Sequence, residues 1–272
     1  MRKPRRRGAE AAEVFLQKEA FLCALCASAV AFSGCPKPVM VAGDAPEPAR
    51  LFEMARAAHK LPETLSGDAK AFVEAPENGG RYALHISVRR PASLRIEALT
   101  PLGDPAAVLV ADQGNFALLD LRNGVYYRGP ATPANLSRLI PAPLRADELV
   151  SLITGAIPDL PGAVPTAARR DGDGYRLTVA AGALLQEVAL GADLRLGEVR
   201  RSTRGGELLW SVALDEHDDA GGAQVPRLIH LEAPAGRTTV DLRLRNLVAG
   251  KPSPAGAFLL GVPQGMRVEE VR

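Results

Sequence analysis

The chain has 272 residues, 47% of them hydrophobic, which is enough to bury a core in one large domain or two small ones. This composition excludes an intrinsically disordered protein. Lysine and arginine number 33 and aspartate and glutamate 31; residues 1–34 contain six of the basic and three of the acidic side chains. Subtracting them leaves 27 basic and 28 acidic side chains. This near-neutral balance argues against a nucleic-acid-binding surface.

Residues 1–34 have the pattern of an export signal. Five of the six residues from Arg2 to Arg7 are basic, and a run of apolar and small residues follows at Phe21–Phe32. These 12 residues are too few to span the ~30 Å hydrocarbon core as a helix, but they suit the apolar region of a signal peptide. We therefore expect residues 1–34 to be removed. Two alternatives stay open: an ordinary secreted protein, and a membrane anchor that is never cut.

The end of this segment, Phe32-Ser33-Gly34-Cys35, resembles the lipobox of bacterial lipoproteins. The resemblance implies cleavage before Cys35, with a diacylglycerol and an N-acyl chain on that cysteine as the only attached groups. Residues 35–48 are rich in proline and predict an extended, lipidated tether. Pro36 stands where lipoproteins retained in the inner membrane tend to carry aspartate. The resemblance therefore implies a lipid-anchored protein on the outer membrane, facing the periplasm.

After the tether, the apolar spacing predicts one helix and then many strands. Leu51, Met54 and Ala55 recur at helical spacing and predict a helix over Glu47–His59. After Pro62 the apolar period changes to two, and turn residues bound each run. The first predicted strands are Gly67–Ala75, Arg81–Arg89, Ser93–Leu99, Ala106–Ala111, Asn115–Leu121 and Val125–Arg128.

A helical insert then interrupts the strands. Helices are predicted over Pro133–Ile140 and Arg145–Ile157 from apolar residues three and four apart. The residues on their apolar faces are Leu136, Leu139, Ile140, Leu149, Leu152 and Ile153. Strands resume at Tyr175–Ala180, Leu184–Leu190, Leu194–Ser202, Leu208–Leu214, Val225–Glu232 and Arg237–Leu247.

These elements predict a mainly β protein with a few helices. About 11–12 antiparallel strands would form one strongly curved half-barrel, with short helices capping its concave side. The predicted domain covers residues 49–250, and residues 251–272 are predicted to be a C-terminal tail.

The stretch Leu94–Gly103 and the helical insert ending at Gly155–Pro158 resemble LolB, the outer-membrane lipoprotein receptor, and LolB-like lipoproteins of high-GC bacteria. The resemblance covers about Leu65–Leu247 and places the chain near the LolA/LolB superfamily. It implies a half-open barrel whose apolar cavity holds the acyl chains of cargo lipoproteins, with the six insert side chains lining cavity and lid. It also implies that Pro101, Leu102 and Gly103 form a membrane-insertion loop.

The implied partners are outer-membrane lipid, cargo acyl chains and a LolA-like periplasmic carrier, and the implied state is a monomer. Two points stay open from the residues themselves. The cavity could be packed by its own side chains, which would favour an accessory lipoprotein acting through surface contacts. Leu102 could fold back as a plug on the barrel end.

No catalytic residue, metal ligand or further cofactor is predicted. The chain contains no nucleophile elbow, phosphate-binding glycine loop or paired-histidine zinc motif. His217 lies in a polar Glu-His-Asp-Asp stretch that suits a solvated loop. Residues Asp171–Gly174 open like a calcium loop, but the twelfth position is Gly182, where a carboxylate is needed. We therefore expect a non-enzymatic protein.

Overall fold

A computed structural model describes residues 45–76 and 79–272. The predicted signal peptide, the lipidation site Cys35 and most of the predicted tether lie outside these residues. None of the helices within 45–76 and 79–272 combines the length and the hydropathy needed to cross a membrane. The described residues belong to one compact unit.

Alternating apolar residues produce one large sheet. The strands are β1 Thr64–Glu74, β2 Gly80–Arg89, β3 Ser93–Leu99, β4 Pro105–Asp112, β5 Asn115–Asp120, β6 Val125–Pro130, β7 Val164–Asp171, β8 Gly174–Ala181, β9 Leu184–Leu190, β10 Leu196–Thr203, β11 Leu208–Asp215, β12 Asp218–Ala220, β13 Ala223–Val225, β14 Leu228–Ala233, β15 Thr238–Ala249 and β16 Arg267–Glu270. Fourteen of them form a curved sheet in the order β16-β6-β5-β4-β3-β2-β1-β15-β14-β11-β10-β9-β8-β7. Within the described chain, β7 and β16 each have one neighbour, so the sheet stays open.

The sheet is antiparallel at every junction except the parallel pair β16–β6. This mainly β, curved and unclosed architecture confirms the predicted fold class. The number of strands in the sheet exceeds the predicted 11–12, because β7 and β16 had no period-two pattern. The strands β12 and β13 form a separate hairpin.

Three short helices follow from local capping. Helix α1, Pro48–Ala57, starts with proline and is capped by the Glu47 side chain, which accepts a hydrogen bond from the Arg50 N–H at 3.1 Å. Helix α2 covers Pro133–Leu136, and helical turns continue to Ile140. Helix α3 covers Ala146–Ile153, shorter than predicted because Gly155, at φ 79°, ends it.

The core lies between the helices and one face of the sheet. Strand β1 shows the alternation: Leu65, Ala69 and Val73 are buried, whereas Lys70 and Glu74 point outward and are exposed. One buried cluster joins the helices to strands from both halves of the sheet, including Leu51, Leu136, Val150, Leu94, Leu109, Leu177 and Val188. A sheet whose two halves contact the same helices is curved around them, so the helices occupy the concave side.

The segment after Gly250 packs on the outer face of the sheet, whereas we predicted a tail. Phe258 is buried against a small cluster on β4–β6, and the Tyr126 hydroxyl donates to the Leu260 carbonyl at 2.7 Å. Strand β16 then pairs with β6. A Cβ on Gly129 would lie 2.1 Å from the Val271 carbonyl oxygen, so only glycine permits this close approach.

Candidate functional site

Leu102 lies at the tip of the β3–β4 turn and is 91% exposed. The turn is closed by the Thr100 N–H, which donates to the Asp104 carbonyl at 2.7 Å, and by the Gly103 N–H, which donates to the Thr100 carbonyl at 2.9 Å. Gly103 has φ 93°, which a leucine or alanine would rarely adopt. The turn therefore holds Leu102 in water and not against the barrel end, contrary to the plug alternative.

The antiparallel order places other exposed apolar side chains at the same end of the strands as Leu102. Leu121, in the β5–β6 turn, is 45% exposed, and Val164, the first residue of β7, is 63% exposed. Arg122 and Arg237 lie in turns at this end of the strands as well. Exposed carboxylates lie at this end as well, among them Asp104 in the Leu102 turn and Glu207 in the β10–β11 turn, so the charges there are mixed and the protruding apolar side chains are its distinguishing feature.

The six side chains predicted to line the cavity and lid come together on the concave side. Leu136, Leu149, Leu152 and Ile153 are buried in the main core cluster, and Leu139 and Ile140 are half-buried against it. Three cavities, of about 830, 510 and 390 Å³, have none of the six among their lining residues. Because four of the six side chains are less than 10% exposed, the insert packs closely onto the sheet, and its role in binding stays a prediction.

A buried polar network fastens α3 to the sheet. The Arg201 Nη1 donates to Glu148 Oε1 at 2.9 Å, and both side chains are almost fully buried. The Arg201 guanidinium also donates to Gln186 Oε1 and lies over the Trp210 ring at 4.9 Å. Gln186 in turn donates to the Pro158 carbonyl at 3.0 Å. Burial lowers the pKa of Arg201, and the neighbouring Glu148 carboxylate opposes this shift.

Both polar stretches belong to hairpins, but His217 is half-buried immediately before β12 and does not lie in the solvated loop that we predicted. Asp171 accepts from Arg176 Nε at 2.7 Å and closes the β7–β8 hairpin. His217 precedes the β12–β13 hairpin; burial lowers its pKa, and the nearby Arg195 lowers it further. In the described part of the chain, no three His, Cys, Asp or Glu side chains converge as metal ligands do.

His230 makes the stability of the fold depend on pH. It hydrogen-bonds Asp241 at 2.6 Å and Glu232 at 3.3 Å, and these contacts raise its pKa above the ordinary 6.5. Protonated His230 therefore stabilises the fold below pH 6.5, and this contribution disappears as pH rises through the raised pKa. We expect His230→Gln to lower the melting temperature at about pH 5.5 and to have little effect near about pH 8.5.

The pH effect of His230→Gln is expected to stay below about 1 kcal/mol, because the pair is half-exposed. His217→Gln serves as the control with the opposite sign. Because burial lowers the pKa of His217, the folded wild-type protein loses stability as pH falls and this histidine becomes protonated. His217→Gln lacks the titrating group, so its stability relative to wild type should rise as pH falls. Parallel shifts in both variants would contradict the assignment of these pKa directions.

No protein-family model matches the chain, and no curated protein matches its sequence. Solved structures do match. The crystal structure of a LolA superfamily protein from Nitrosomonas europaea is 13% identical, with a TM-score of 0.55, and the match covers 79% of this chain and 99% of that one. A DUF1329 family protein from Desulfovibrio piger gives a TM-score of 0.58 at 8% identity, over 78% and 96% of the two chains.

A domain from Vibrio parahaemolyticus described as an outer membrane lipoprotein-sorting protein gives a TM-score of 0.55 at 8% identity, covering 77% of this chain and 95% of that one. The chain has a LolA-like fold. At these identities the likeness shows the fold alone, so the finer LolB resemblance stays a prediction.

Within this LolA-like fold, sequence patterns did not identify the Arg201–Glu148 pair. A signal was present, because Arg201 follows Val199 at an inward position of a period-two strand. Glu148 stands at the third position of α3, where it also accepts from the Arg145 N–H at 2.9 Å. An inward arginine in a strand and a buried glutamate at a helix start would together have predicted an ion pair.

Proposed function

We propose that this chain is a non-catalytic, lipid-anchored lipoprotein of the outer membrane, facing the periplasm, which binds acyl chains and inserts lipoproteins into that membrane. The observation that carries the proposal is the 91% exposure of Leu102 on a hydrogen-bonded turn of a LolA-like sheet. Full burial of a leucine in an apolar phase is worth about 1.5–3 kcal/mol. That energy biases contact with a bilayer without fixing the protein there.

The binding surface for acyl chains would be the concave side beneath α2 and α3. Its walls are aliphatic: Leu136 and Leu149 of the insert belong to the same buried cluster as Leu94 and Leu109 of the sheet. Because these side chains pack closely, an acyl chain enters by displacing the insert. The backbone hydrogen bonds that residues 135–142 donate all end on carbonyls of residues 132–140, so they hold this segment to itself and not to the sheet.

Leu102→Glu tests the proposal in a transfer assay from a LolA-like carrier to liposomes. We expect delivery of a lipoprotein to fall about tenfold or more, because the loss of lipid burial is worth at least ~1.4 kcal/mol. Thermal stability and acyl binding should stay near wild type, since the side chain has few protein contacts. Leu259→Glu is the matched control, a leucine that is 72% exposed on the C-terminal segment. Equal losses in both variants would count against the role of the turn.

The close packing of the insert favours a second candidate, an accessory lipoprotein that acts through surface contacts. Mass spectrometry of lipid that co-purifies with residues 38–272 separates the two. All described helices and strands and both clusters of buried side chains lie between Pro48 and Arg272, so this part keeps a complete core. Bound lipid supports the acceptor; absence of lipid together with no uptake of a fluorescent fatty acid supports the accessory function.

The predicted lipid anchor on Cys35 can be tested separately. Lipidation contributes about 0.8 kcal/mol for each buried CH₂, so two or more chains give stable anchoring. We expect Cys35→Ala to release a folded protein into the soluble periplasmic fraction, as measured by membrane fractionation. A variant that still sediments with membranes and needs detergent for extraction would indicate an anchor that is never cut.

A further inference from the structure

The cavity of about 830 Å³ is a groove on the outer face of the sheet, opposite the helices. Cross-strand neighbours form two adjacent rows over β11, β14, β15, β1 and β2. The first row is Ala213, His230, Asp241, Phe72 and Arg81; the second is Asp215, Leu228, Arg243, Lys70 and Ala83. All ten residues line the groove. Its volume is within the range of about 300–1,000 Å³ usual for small-molecule sites.

Lys70 and Arg243 lie directly opposite each other in the β1–β15 pair. Like charges in this position are destabilising, because the two Cβ atoms are only about 5 Å apart. Arg243 has Glu216 at 3.5 Å as a partner. Within the described residues, no carboxylate lies within 4.0 Å of the Lys70 ammonium or the Arg81 guanidinium. Lys70 and Arg81 therefore have no carboxylate partner among the described residues.

The acidic groups that line or border the groove are already hydrogen-bonded. The Asp215 carboxylate, in the second row, accepts from the Glu216 N–H at 2.7 Å. Asp241 bonds His230 at 2.6 Å, and Asp68 bonds His85 at 3.1 Å and Asn246 at 2.8 Å. These hydrogen bonds leave Lys70 and Arg81 to attract an anion from outside the chain. A phosphate or carboxylate above Lys70 and Arg243 would relieve their repulsion by charge-assisted hydrogen bonds.

Apolar side chains flank this pair of cations on both sides. Leu228 lies beside Arg243, Ala83 lies beside Lys70, and Phe72 is in the adjacent row with the Arg81 guanidinium 5.6 Å from its ring centre. Phe72 remains 39% exposed although it is a large apolar side chain. An anionic head above the cations would therefore place an attached hydrocarbon chain on Phe72, Ala83 or Leu228.

We propose that this outer groove binds an anionic single-chain amphiphile, with its phosphate or carboxylate head on Lys70 and Arg243 and its hydrocarbon chain along the apolar flanks. The site is on the opposite face of the sheet from the helices. It is therefore independent of acyl-chain binding beneath the insert.

The test uses residues 38–272 and two probes that share one tail, lauroyl lysophosphatidylglycerol and the zwitterionic lauroyl lysophosphatidylcholine, below their micelle concentrations. Affinity and location are both read from amide chemical shifts in two-dimensional NMR. We expect the anionic probe to bind more tightly and to shift the amides of Lys70–Phe72, Arg81–Ala83 and Leu228–His230. sn-Glycerol 3-phosphate, which carries the head without the tail, should bind much more weakly.

Lys70→Gln should weaken the anionic probe about tenfold, as expected when a hydrogen bond to a charged group is lost, and leave the zwitterionic probe unchanged. The same substitution should raise the melting temperature by about 1–3 °C, because it removes the repulsion from Arg243. A merely structural lysine would not combine higher stability with weaker binding. Arg169→Gln, an exposed arginine of the edge strand β7 outside the groove, is the control and should leave the affinity for both probes unchanged.

Equal affinity of the two lysolipids, or shifts confined to the concave side, would overturn the proposal. Binding of glycerol 3-phosphate as tight as that of the anionic lysolipid would also overturn it, since the apolar flanks would then contribute nothing. If the acyl-binding function fails its own test, this prediction is unaffected, because the readout maps to the other face.

Discussion

Glu148→Ala is expected to lower the free energy of unfolding by about 3–5 kcal/mol, because it leaves the buried Arg201 guanidinium without its counter-ion. The guanidinium is 4% and the carboxylate 3% exposed, so water cannot replace the lost partner. The substitution also removes the carboxylate that accepts from the Arg145 N–H at the start of α3. Urea unfolding followed by fluorescence measures the loss, since Trp210 is the only tryptophan and lies beside Arg201.

Asp147→Ala is the matched control for Glu148→Ala. Asp147 is the adjacent carboxylate on α3, but it is 35% exposed and pairs with the equally accessible Arg145. Its loss should cost less than about 1 kcal/mol. Replacing both buried partners, as in Glu148→Leu with Arg201→Met, should recover most of the stability, because an apolar pair leaves no buried charge. A loss for Glu148→Ala no larger than that for Asp147→Ala would show that the pair is solvated.

The same pair sets part of the cost of moving α3. Glu148 belongs to the insert and Arg201 to the sheet, so displacement of the insert exposes both charges to water. Water then solvates them, which reduces the cost of separation compared with deleting one partner. An ion pair of this kind lets α3 pack closely, but the free energy needed to release the helix stays lower than it would be for an equal buried area of leucine contacts.

Period-two alternation predicts strands well where one face is buried. Ser93–Leu99 has the predicted bounds because its apolar residues alternate and turn residues follow it. Leu184–Leu190 also has the predicted bounds, but these come from the flanking turn residues, since its inward positions include the polar Gln186. Strand β7 escaped prediction: Val-Pro-Thr-Ala-Ala-Arg-Arg-Asp has no regular apolar row, since this edge strand has one neighbour and little buried surface. Strand β16 depends on parallel pairing with β6, more than 130 residues earlier, which no local pattern indicates.

The sequence likewise predicts one candidate site feature and misses another. The exposure of Leu102 follows from its place between proline and glycine in a tight turn, and the structure agrees. The outer groove could not be predicted from single strands. Lys70 and Arg243 are 173 positions apart, and only the long-range pairing of β1 with β15 places them opposite each other. Local sequence identified side chains that point outward, whereas topology determined their neighbours.

Phe258→Ala is expected to destabilise the fold by about 3–5 kcal/mol, although it lies in a segment without regular periodicity. The ring is 5% exposed and packs with Val108, Val110 and Leu119 on the outer face of β4 and β5, and the Arg89 guanidinium lies 4.8 Å from its centre. Its removal would leave a cavity beside these valines. It would also remove the contact that holds the segment leading into β16 against the sheet.

Leu259→Ala is the control for Phe258→Ala, because the adjacent side chain is 72% exposed and its removal should change stability by less than about 0.5 kcal/mol. Thermal unfolding of the two variants distinguishes a structural segment from a tail. If Phe258→Ala were as stable as Leu259→Ala, the segment would contribute no core, and the outer face of β4–β6 would have to be stable when open to water. Val108, Val110, Leu119 and Tyr126 are each less than 10% exposed only because Phe258 and its neighbours cover them, so we expect the larger loss.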